Sequence, residues 1–227
     1  MPTRESTSQT LIAAATAGNL EAREEFARIY GPVVLAYLNA RWKGSTHLAE
    51  REDAVQEVFL DCFREDGALA RLDPDRPQRF RSYLFGITRN VARHFEARLQ
   101  RRTPVGSEEL DERAAPLDDG PSHAFDRAWA EAILREALAR LQASARVKGG
   151  RALRRVELLR LRFDAGQPIR EIARAWNEAP ARVHKQYAQA REDFKGALKA
   201  TLADHGSVDG RVTDEDLRDL LELLGTG

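Results

Sequence analysis

The chain has 227 residues, of which 42% are hydrophobic and 32% charged, with few aromatic residues and abundant alanine, leucine, arginine and glutamate. This composition favours amphipathic helices and predicts an all-α protein, long enough for one large domain or two small ones. Cys62 is the only cysteine, which excludes a disulfide framework and a cysteine-based zinc site. The start of the chain does not resemble a signal peptide, and no apolar run approaches the roughly 20 residues of a membrane span, so we expect a cytoplasmic protein.

Acidic and basic residues are equal in number, 36 of each, but they are segregated along the chain. Residues 76–102 are basic, residues 103–124 are acidic and rich in proline and glycine, residues 146–199 are basic again, and the tail from residue 204 is acidic. Since proline and glycine interrupt helices, residues 103–124 are predicted to form a flexible linker. Two basic bodies joined by an acidic tether suit a protein that contacts a polyanion at two places.

Helical periodicity divides the first part of the chain into several predicted helices. One covers residues 11–17, a second begins at Leu20, and Pro32 opens a third that ends at Gly44. A further helix runs from about residue 48 to residue 63. Its carboxylates lie on the polar side and in the first turn, where negative charge favours the helix dipole.

A basic helix is predicted over residues 80–99, after a loop that contains two prolines. Its apolar residues are spaced by three and four positions, which leaves the arginines on the remaining surface. These apolar positions are Leu84, Ile87, Val91 and Phe95. We expect this helix to be the DNA-facing element of the first domain.

Beyond the linker, residues 125–141 are predicted to form one helix, and residues 153–163, 168–176 and 181–202 a compact group of three. A short helix, a tight turn and a longer basic helix are typical of a helix-turn-helix.

The acidic tail, residues 204–227, contains a short predicted helix capped by Thr213. Acidic residues fill its first turn. Four leucines share one face: Leu217, Leu220, Leu221 and Leu224. Such a helix can fold back on the basic domains and restrain their binding to DNA or to another partner, dock a partner itself, or serve as a simple packing appendage.

Residues 50–59 (EREDAVQEVF) and 80–92 (FRSYLFGITRNVA) resemble region two of the extracytoplasmic-function sigma factors. Residues 171–191 are similar to region four, the helix-turn-helix of the same family. The resemblance implies an all-α protein without catalytic activity that carries core RNA polymerase to promoters. It implies a region-two domain at residues 1–102 and a region-four domain at residues 125–203.

The family resemblance assigns the acidic helix to docking on core RNA polymerase. The candidate polymerase-binding residues are Glu52, Asp53, Gln56 and Glu57. Carboxylates on an exposed helix face can pair with arginines of a partner, which steers and orients the complex. The alternative for such a charge run is an ordinary solvated helix face.

In the basic helix, the resemblance implies recognition and opening of the minus-ten promoter element. An amide such as that of Asn90 suits a base edge exposed on a single strand, and Tyr83 can stack on an unpaired base. Arg81, Arg89 and Arg93 can neutralise phosphates. Core packing for the aromatic ring and solvation for the arginines are the alternatives.

In the helix-turn-helix, the resemblance implies recognition of the minus-thirty-five element in the major groove. The candidate residues are Arg182, His184, Lys185, Gln186 and Gln189. The turn departs from the family pattern. Asn177 stands where glycine is usual, and asparagine tolerates the left-handed conformation expected there at little cost. Glu178 fills a normally apolar position, and Ala179 replaces a capping serine or threonine.

An enzyme is one alternative class, but the histidines are scattered and neither a phosphate-binding glycine loop nor a nucleophile motif is present. We therefore expect no catalytic residues, metal or cofactor. The remaining alternative is a helix-turn-helix regulator that binds DNA without polymerase. The sequence leaves open whether an anti-sigma factor or a regulatory kinase is a further partner, and whether the acidic linker mimics nucleic acid inside the polymerase or is a plain tether.

Overall fold

The computed structural model describes residues 8–64, 79–102, 119–205 and 212–224. Within these ranges every regular element is helical, which confirms the predicted all-α class. Nine α-helices and one 3-10 helix make up this part of the chain. In chain order they are α1 (Ser8–Thr16), α2 (Leu20–Arg41), the 3-10 helix (Thr46–Glu50), α3 (Arg51–Phe63), α4 (Arg79–Arg102), α5 (Asp119–Lys148), α6 (Gly150–Phe163), α7 (Ile169–Ala175), α8 (Pro180–Asp204) and α9 (Asp214–Glu222).

The described residues divide into two compact units. Unit 1 comprises those up to residue 132 together with those from residue 203 onward, and unit 2 comprises residues 133–202. None of the helices in the described ranges is both long and apolar enough to cross a membrane.

Helix α2 continues through Pro32, so the predicted start of a new helix at this residue is wrong. A proline inside a helix costs about 3 kcal/mol, because it removes one backbone hydrogen bond and crowds the preceding turn. The apolar stripe of α2 continues on both sides of the proline, with Tyr30, Val33 and Val34 almost completely buried. Burial of each such side chain contributes about 1.5–3 kcal/mol, which offsets the cost and keeps the helix intact.

Aromatic rings form much of the core of unit 1. Phe26 and Tyr30 of α2 contact Phe80 of α4 in edge-to-face geometry, with centroid distances of 5.7 and 4.9 Å. Trp129 of α5 stacks on Tyr30 at 5.5 Å. Cys62 of α3 lies in the same unit with no exposed surface, and burial, aided by Asp61, raises the pKa of its thiol to about 12.

A polar network connects α2 to α4 at the edge of this core. Glu96 accepts hydrogen bonds from Nε and Nη2 of Arg41, at 2.7 and 2.8 Å, and from the indole nitrogen of Trp42 at 2.8 Å. Burial alone would raise the pKa of Glu96, but these hydrogen bonds outweigh it and hold the pKa below its usual value.

Helix α5 begins at Asp119, so the predicted linker end at residue 124 is wrong; residues 103–118 of the linker lie outside the described residues. Pro121 does not prevent the helix because it stands in the first turn, where a backbone N–H has no partner within the helix. Phe125 and Trp129, predicted to open the second domain, pack in unit 1.

Unit 2 contains a helix-turn-helix around its own core. Leu158 of α6, Ile172 of α7 and Val183 of α8 are completely buried within one cluster. Asn177, between α7 and α8, has a φ of 52°, as predicted for the turn. Asparagine tolerates this left-handed conformation better than most residues, so the turn forms without the glycine of the family pattern.

Candidate nucleic-acid and polymerase interfaces

The four candidate polymerase-binding residues lie together on one exposed face of α3. They are Glu52, Asp53, Gln56 and Glu57, and all four are exposed. Residues separated by three and four positions share a helix face, and the spacings from Glu52 to Gln56 and from Asp53 to Gln56 and Glu57 place these side chains on one acidic stripe. The opposite side of α3 is fixed in the core by Ala54, Val58 and Cys62.

Leu60 extends the acidic stripe by one helical turn and is a residue that the sequence prediction missed. Its surface is 62% exposed, and it lies three positions after Glu57 and four after Gln56. Single exposed leucines are common, so only its place beside the acidic stripe makes it a candidate. The spacing from Gln56 is the signal in the sequence that identifies it.

Most of the candidate minus-ten residues share the solvent side of α4. Asn90 and Arg93 are exposed, and Tyr83 and Arg89 are half-buried. At 3.6 residues per turn these four project away from the side on which Leu84, Val91 and Phe95 are buried. The face therefore combines an aromatic ring, an amide and two positive charges, which suits an unpaired base flanked by phosphates.

Arg81 is separated from this face and already has an acidic partner. Its guanidinium forms an ion pair with Asp126 of α5 through Nη2 and Oδ1. The side chain is 41% exposed, against 25% for Asp126. A phosphate that binds Arg81 must compete with this carboxylate.

Beside Arg81, the acidic helix α9 lines an open cleft of about 680 Å³ in unit 1. Asp219 and Glu222 of α9 line it together with Arg81, His123 and Arg127. Opposite charges thus face the same space, and α9 contributes its negative charge where the basic helix α4 begins.

Helix α9 forms as the sequence predicts. Thr213 and Asp216 make a reciprocal capping box, in which each accepts a hydrogen bond from the other's backbone N–H at 3.2 and 2.7 Å. Hydrogen bonds from the backbone and side chain of Thr213 hold the pKa of Asp216 below its usual value. Of the predicted leucine face, Leu217 and Leu220 are buried, Leu224 is half-buried and Leu221 is exposed, so only part of the face is used for packing.

In unit 2, the candidate minus-thirty-five residues occupy the first turns of α8. Four of them, Arg182, His184, Lys185 and Gln189, are exposed, and Gln186 is half-buried. Arg182, Gln186 and Gln189 follow one another at intervals of four and three residues, which places them on a single stripe. Val183 and Ala190 anchor the other side of the helix in the core.

Two carboxylates contact this stripe from within unit 2. Glu178 in the turn binds Arg154 of α6 at 2.7 Å and accepts a hydrogen bond from Gln186 at 3.0 Å. Asp193 of α8 binds Arg155 at 2.6 Å and accepts a hydrogen bond from Gln189 at 3.2 Å. The residue that departs from the family pattern at position 178 is therefore paired and not strained.

Comparison with protein families identifies the first part of the chain. The family model Sigma-70 region 2 matches residues 26–103, which contain most of α2 and the whole of α3 and α4. The comparison with curated proteins gave no match. The matched stretch carries both the acidic stripe of α3 and the basic face of α4. Over these residues the chain is similar to region 2 of the sigma-70 family of sigma factors.

Proposed function

We propose that this chain is a sigma factor of the extracytoplasmic-function type, which binds core RNA polymerase in the cytoplasm and directs it to specific promoters. The observation that carries the proposal is the pair of exposed faces within the matched region, one acidic on α3 and one basic on α4. A protein that recruits a polymerase to DNA needs a surface for each.

The acidic stripe of α3 is the proposed docking surface for polymerase. Exposed carboxylates steer a basic partner and fix its orientation, and they contribute more to the association rate than to affinity. Leu60 adds an apolar contact at the end of the stripe. Docking through such a surface weakens as the salt concentration rises.

The solvent side of α4 is the proposed minus-ten surface. Arg89 and Arg93 neutralise phosphates, while Asn90 and Tyr83 bind a base that has left the duplex. Stacking on an aromatic ring contributes about 1–3 kcal/mol per base, which helps to offset the cost of unpairing it. We propose that Arg81 joins this surface when its ion pair with Asp126 opens.

Unit 2 is the proposed reader of the minus-thirty-five element, with the start of α8 in the major groove. Support comes from the helix-turn-helix geometry, the left-handed Asn177 and the stripe formed by Arg182, Gln186 and Gln189. His184 and Lys185 flank the stripe and are positioned to contact the phosphate backbone or base edges.

Helix α9 is proposed to regulate the minus-ten surface. Its carboxylates Asp219 and Glu222 share a cleft with Arg81 and Arg127. By occupying the space in which a phosphate would bind these arginines, α9 acts as a built-in competitor of DNA.

The docking proposal is tested by recovery of core polymerase on the immobilised chain. We expect the double variant Asp53→Arg plus Glu57→Arg to recover at least tenfold less polymerase than the wild type. The control Glu21→Arg plus Glu24→Arg makes the same change in charge at exposed positions of α2 and is expected to recover the wild-type amount. Equal recovery by both double variants would contradict the assignment of α3 as the surface that docks on polymerase.

Reconstituted transcription separates this function from that of a polymerase-independent regulator. A sigma factor binds duplex DNA weakly by itself and gives promoter-specific transcripts once core polymerase is added. Tight, sequence-specific duplex binding by the free chain, with no transcript in the presence of core polymerase, would support the regulator.

A further inference from the structure

Two glutamines on the proposed reading stripe of α8 are held by the same arrangement of partners. Gln186 donates through Nε2 to Oε2 of Glu178, whose other oxygen binds Arg154. Gln189 donates through Nε2 to Oδ1 of Asp193, whose other oxygen binds Arg155. Consecutive arginines of α6 thus each hold a carboxylate, and each carboxylate holds one glutamine.

This arrangement fixes which end of each amide faces its carboxylate. An ionised carboxylate can only accept hydrogen bonds, so the amide nitrogen must point toward it. The two polar atoms of an amide lie on different sides of its carbon, which leaves the carbonyl oxygen for another partner. A glutamine that is free to rotate can present either its amino group or its carbonyl oxygen outward. One held in this way keeps its nitrogen at the carboxylate and presents the oxygen outward, with the second N–H of the amide beside it.

The carboxylates are themselves firmly placed. The side chain of Glu178 is only 13% exposed, and that of Asp193 is 27% exposed. Arg154 stacks on the ring of Trp176, with its guanidinium carbon 4.4 Å from the ring centroid. Because this stacking holds the guanidinium in place, Arg154 needs a hydrogen-bond acceptor on the atom of residue 178 that faces it, even when that residue is substituted.

We infer that Glu178 and Asp193 are specificity-determining positioning residues, which turn the carbonyl oxygens of Gln186 and Gln189 toward the bases as hydrogen-bond acceptors. The inference rests on the proposed DNA reading by unit 2. In the major groove, this carbonyl oxygen can accept from the amino group of adenine or cytosine, whereas guanine and thymine offer it no donor. The element contacted by α8 should therefore have adenine or cytosine at the positions that these glutamines reach.

Glu178→Gln tests this orientation with almost no change in shape. In the variant, Arg154 still demands an oxygen, so the new amide nitrogen faces Gln186. Gln186 must then turn its own oxygen inward and its amino group toward DNA. We expect the preferred base at its position to change from adenine or cytosine to guanine or thymine, by about fivefold, the ratio that one hydrogen bond of ordinary strength provides.

The measurement is selection of promoters with a randomised upstream element by the holoenzyme, followed by sequencing of the DNA in open complexes. Gln186→Ala identifies the base position concerned, as the one at which preference disappears. Adding Arg154→Met to Glu178→Gln removes the demand for an oxygen and is expected to restore the wild-type preference. Asp193→Asn gives the equivalent test at the position contacted by Gln189.

The outcomes separate the orientation from the proposed function. If the wild type selects no base in the upstream element and Arg182→Ala changes nothing, unit 2 does not read DNA, and both proposals for it fail. If the wild type selects bases and Glu178→Gln keeps the same preference and thermal midpoint, only the orientation is overturned. A uniform gain in affinity at all sequences also overturns it, because that result reflects release of Arg182, which lies 3.7 Å from Glu178.

Discussion

Gly86 lies near the middle of the solvent side of α4, between Tyr83 and Asn90 in helical register. A Cβ atom added to it would meet no other atom within 4 Å. Packing therefore gives no reason for a glycine here, and helix stability argues against it, because glycine inside a helix costs about 0.5–1 kcal/mol relative to alanine. Close approach of another backbone is a use that glycine serves, and on this face the proposed partner is single-stranded promoter DNA.

We expect Gly86→Ala to raise the free energy of unfolding by about 0.5–1 kcal/mol and to reduce formation of the open promoter complex several-fold. Urea unfolding and permanganate footprinting of the melted DNA measure the two effects. Gly196→Ala is the matched control, because Gly196 is also inside a helix with free space around it. It should gain similar stability and melt DNA normally. Normal melting by both variants would remove Gly86 from the proposed DNA surface.

Single residues also show where sequence patterns are sufficient and where they are not. The left-handed turn at Asn177 is predicted correctly because it depends on the intrinsic preference of one residue. Pro32 and Pro121 are misjudged as helix breakers because their effect depends on context. The buried stripe of α2 outweighs the first, and the position of the second in a first turn makes it harmless.

At the scale of elements, the joint between α2 and α4 depends on the ionised state of Glu96. Its pKa in the folded protein is lowered by Arg41 and Trp42, so the stabilisation is present above the pKa of about 4.3 in the unfolded chain. The contribution is lost as pH falls from there through the folded pKa, because the folded state then takes up a proton against its hydrogen bonds.

We therefore expect Glu96→Gln to lower the free energy of unfolding by about 1–3 kcal/mol at pH 7 and to flatten its dependence on pH below about 4.3. Chemical unfolding at a series of pH values tests both statements. Glu157→Gln removes a carboxylate whose partner, Arg160, is on the surface, and should change stability little. A variant at position 96 that is as stable as wild type at neutral pH would contradict the role of this network.

The faces of the elements could be predicted from sequence, but their pairing could not. Helical spacing is enough to place Glu52, Asp53, Gln56 and Glu57 on one stripe of α3. The ion pair of Arg81 with Asp126 joins residues 45 positions apart, and the contact of Arg154 with Glu178 joins α6 to the turn between α7 and α8. Such pairs arise from packing of whole helices, which periodicity within one helix does not encode.

For the whole molecule, the formal net charge is zero only because the acidic tail offsets a positive charge on the rest of the chain. Residues 207–227 contain six carboxylates and two arginines, so their removal leaves a net charge of about +4. We expect the deleted chain to bind DNA more tightly and with a steeper dependence on salt, because more of its cations become available to phosphates. Binding titrations at several salt concentrations, with and without core polymerase, measure this effect.

A milder variant separates local competition from overall charge. Asp219→Asn plus Glu222→Gln removes only the carboxylates that share the cleft with Arg81, and leaves the capping box and the buried leucines in place. If α9 competes with DNA, this variant reproduces most of the gain in open-complex formation. Asp214→Asn plus Glu215→Gln removes the same charge elsewhere on α9 and should have a smaller effect. Equal effects of the two pairs, or none from either the deletion or the substitutions, would contradict local competition.

The buried thiol of Cys62 has a practical consequence for all of these experiments. With no exposed surface and a pKa near 12, it carries almost no thiolate at neutral pH and should ignore maleimide and iodoacetamide dyes while the protein is folded. Since it is the only cysteine in the chain, a new cysteine at an exposed position such as Lys43 or Arg218 becomes a unique attachment point for a fluorophore. The native sequence is thus already suited to single-molecule measurements of how its parts move when polymerase and promoter bind.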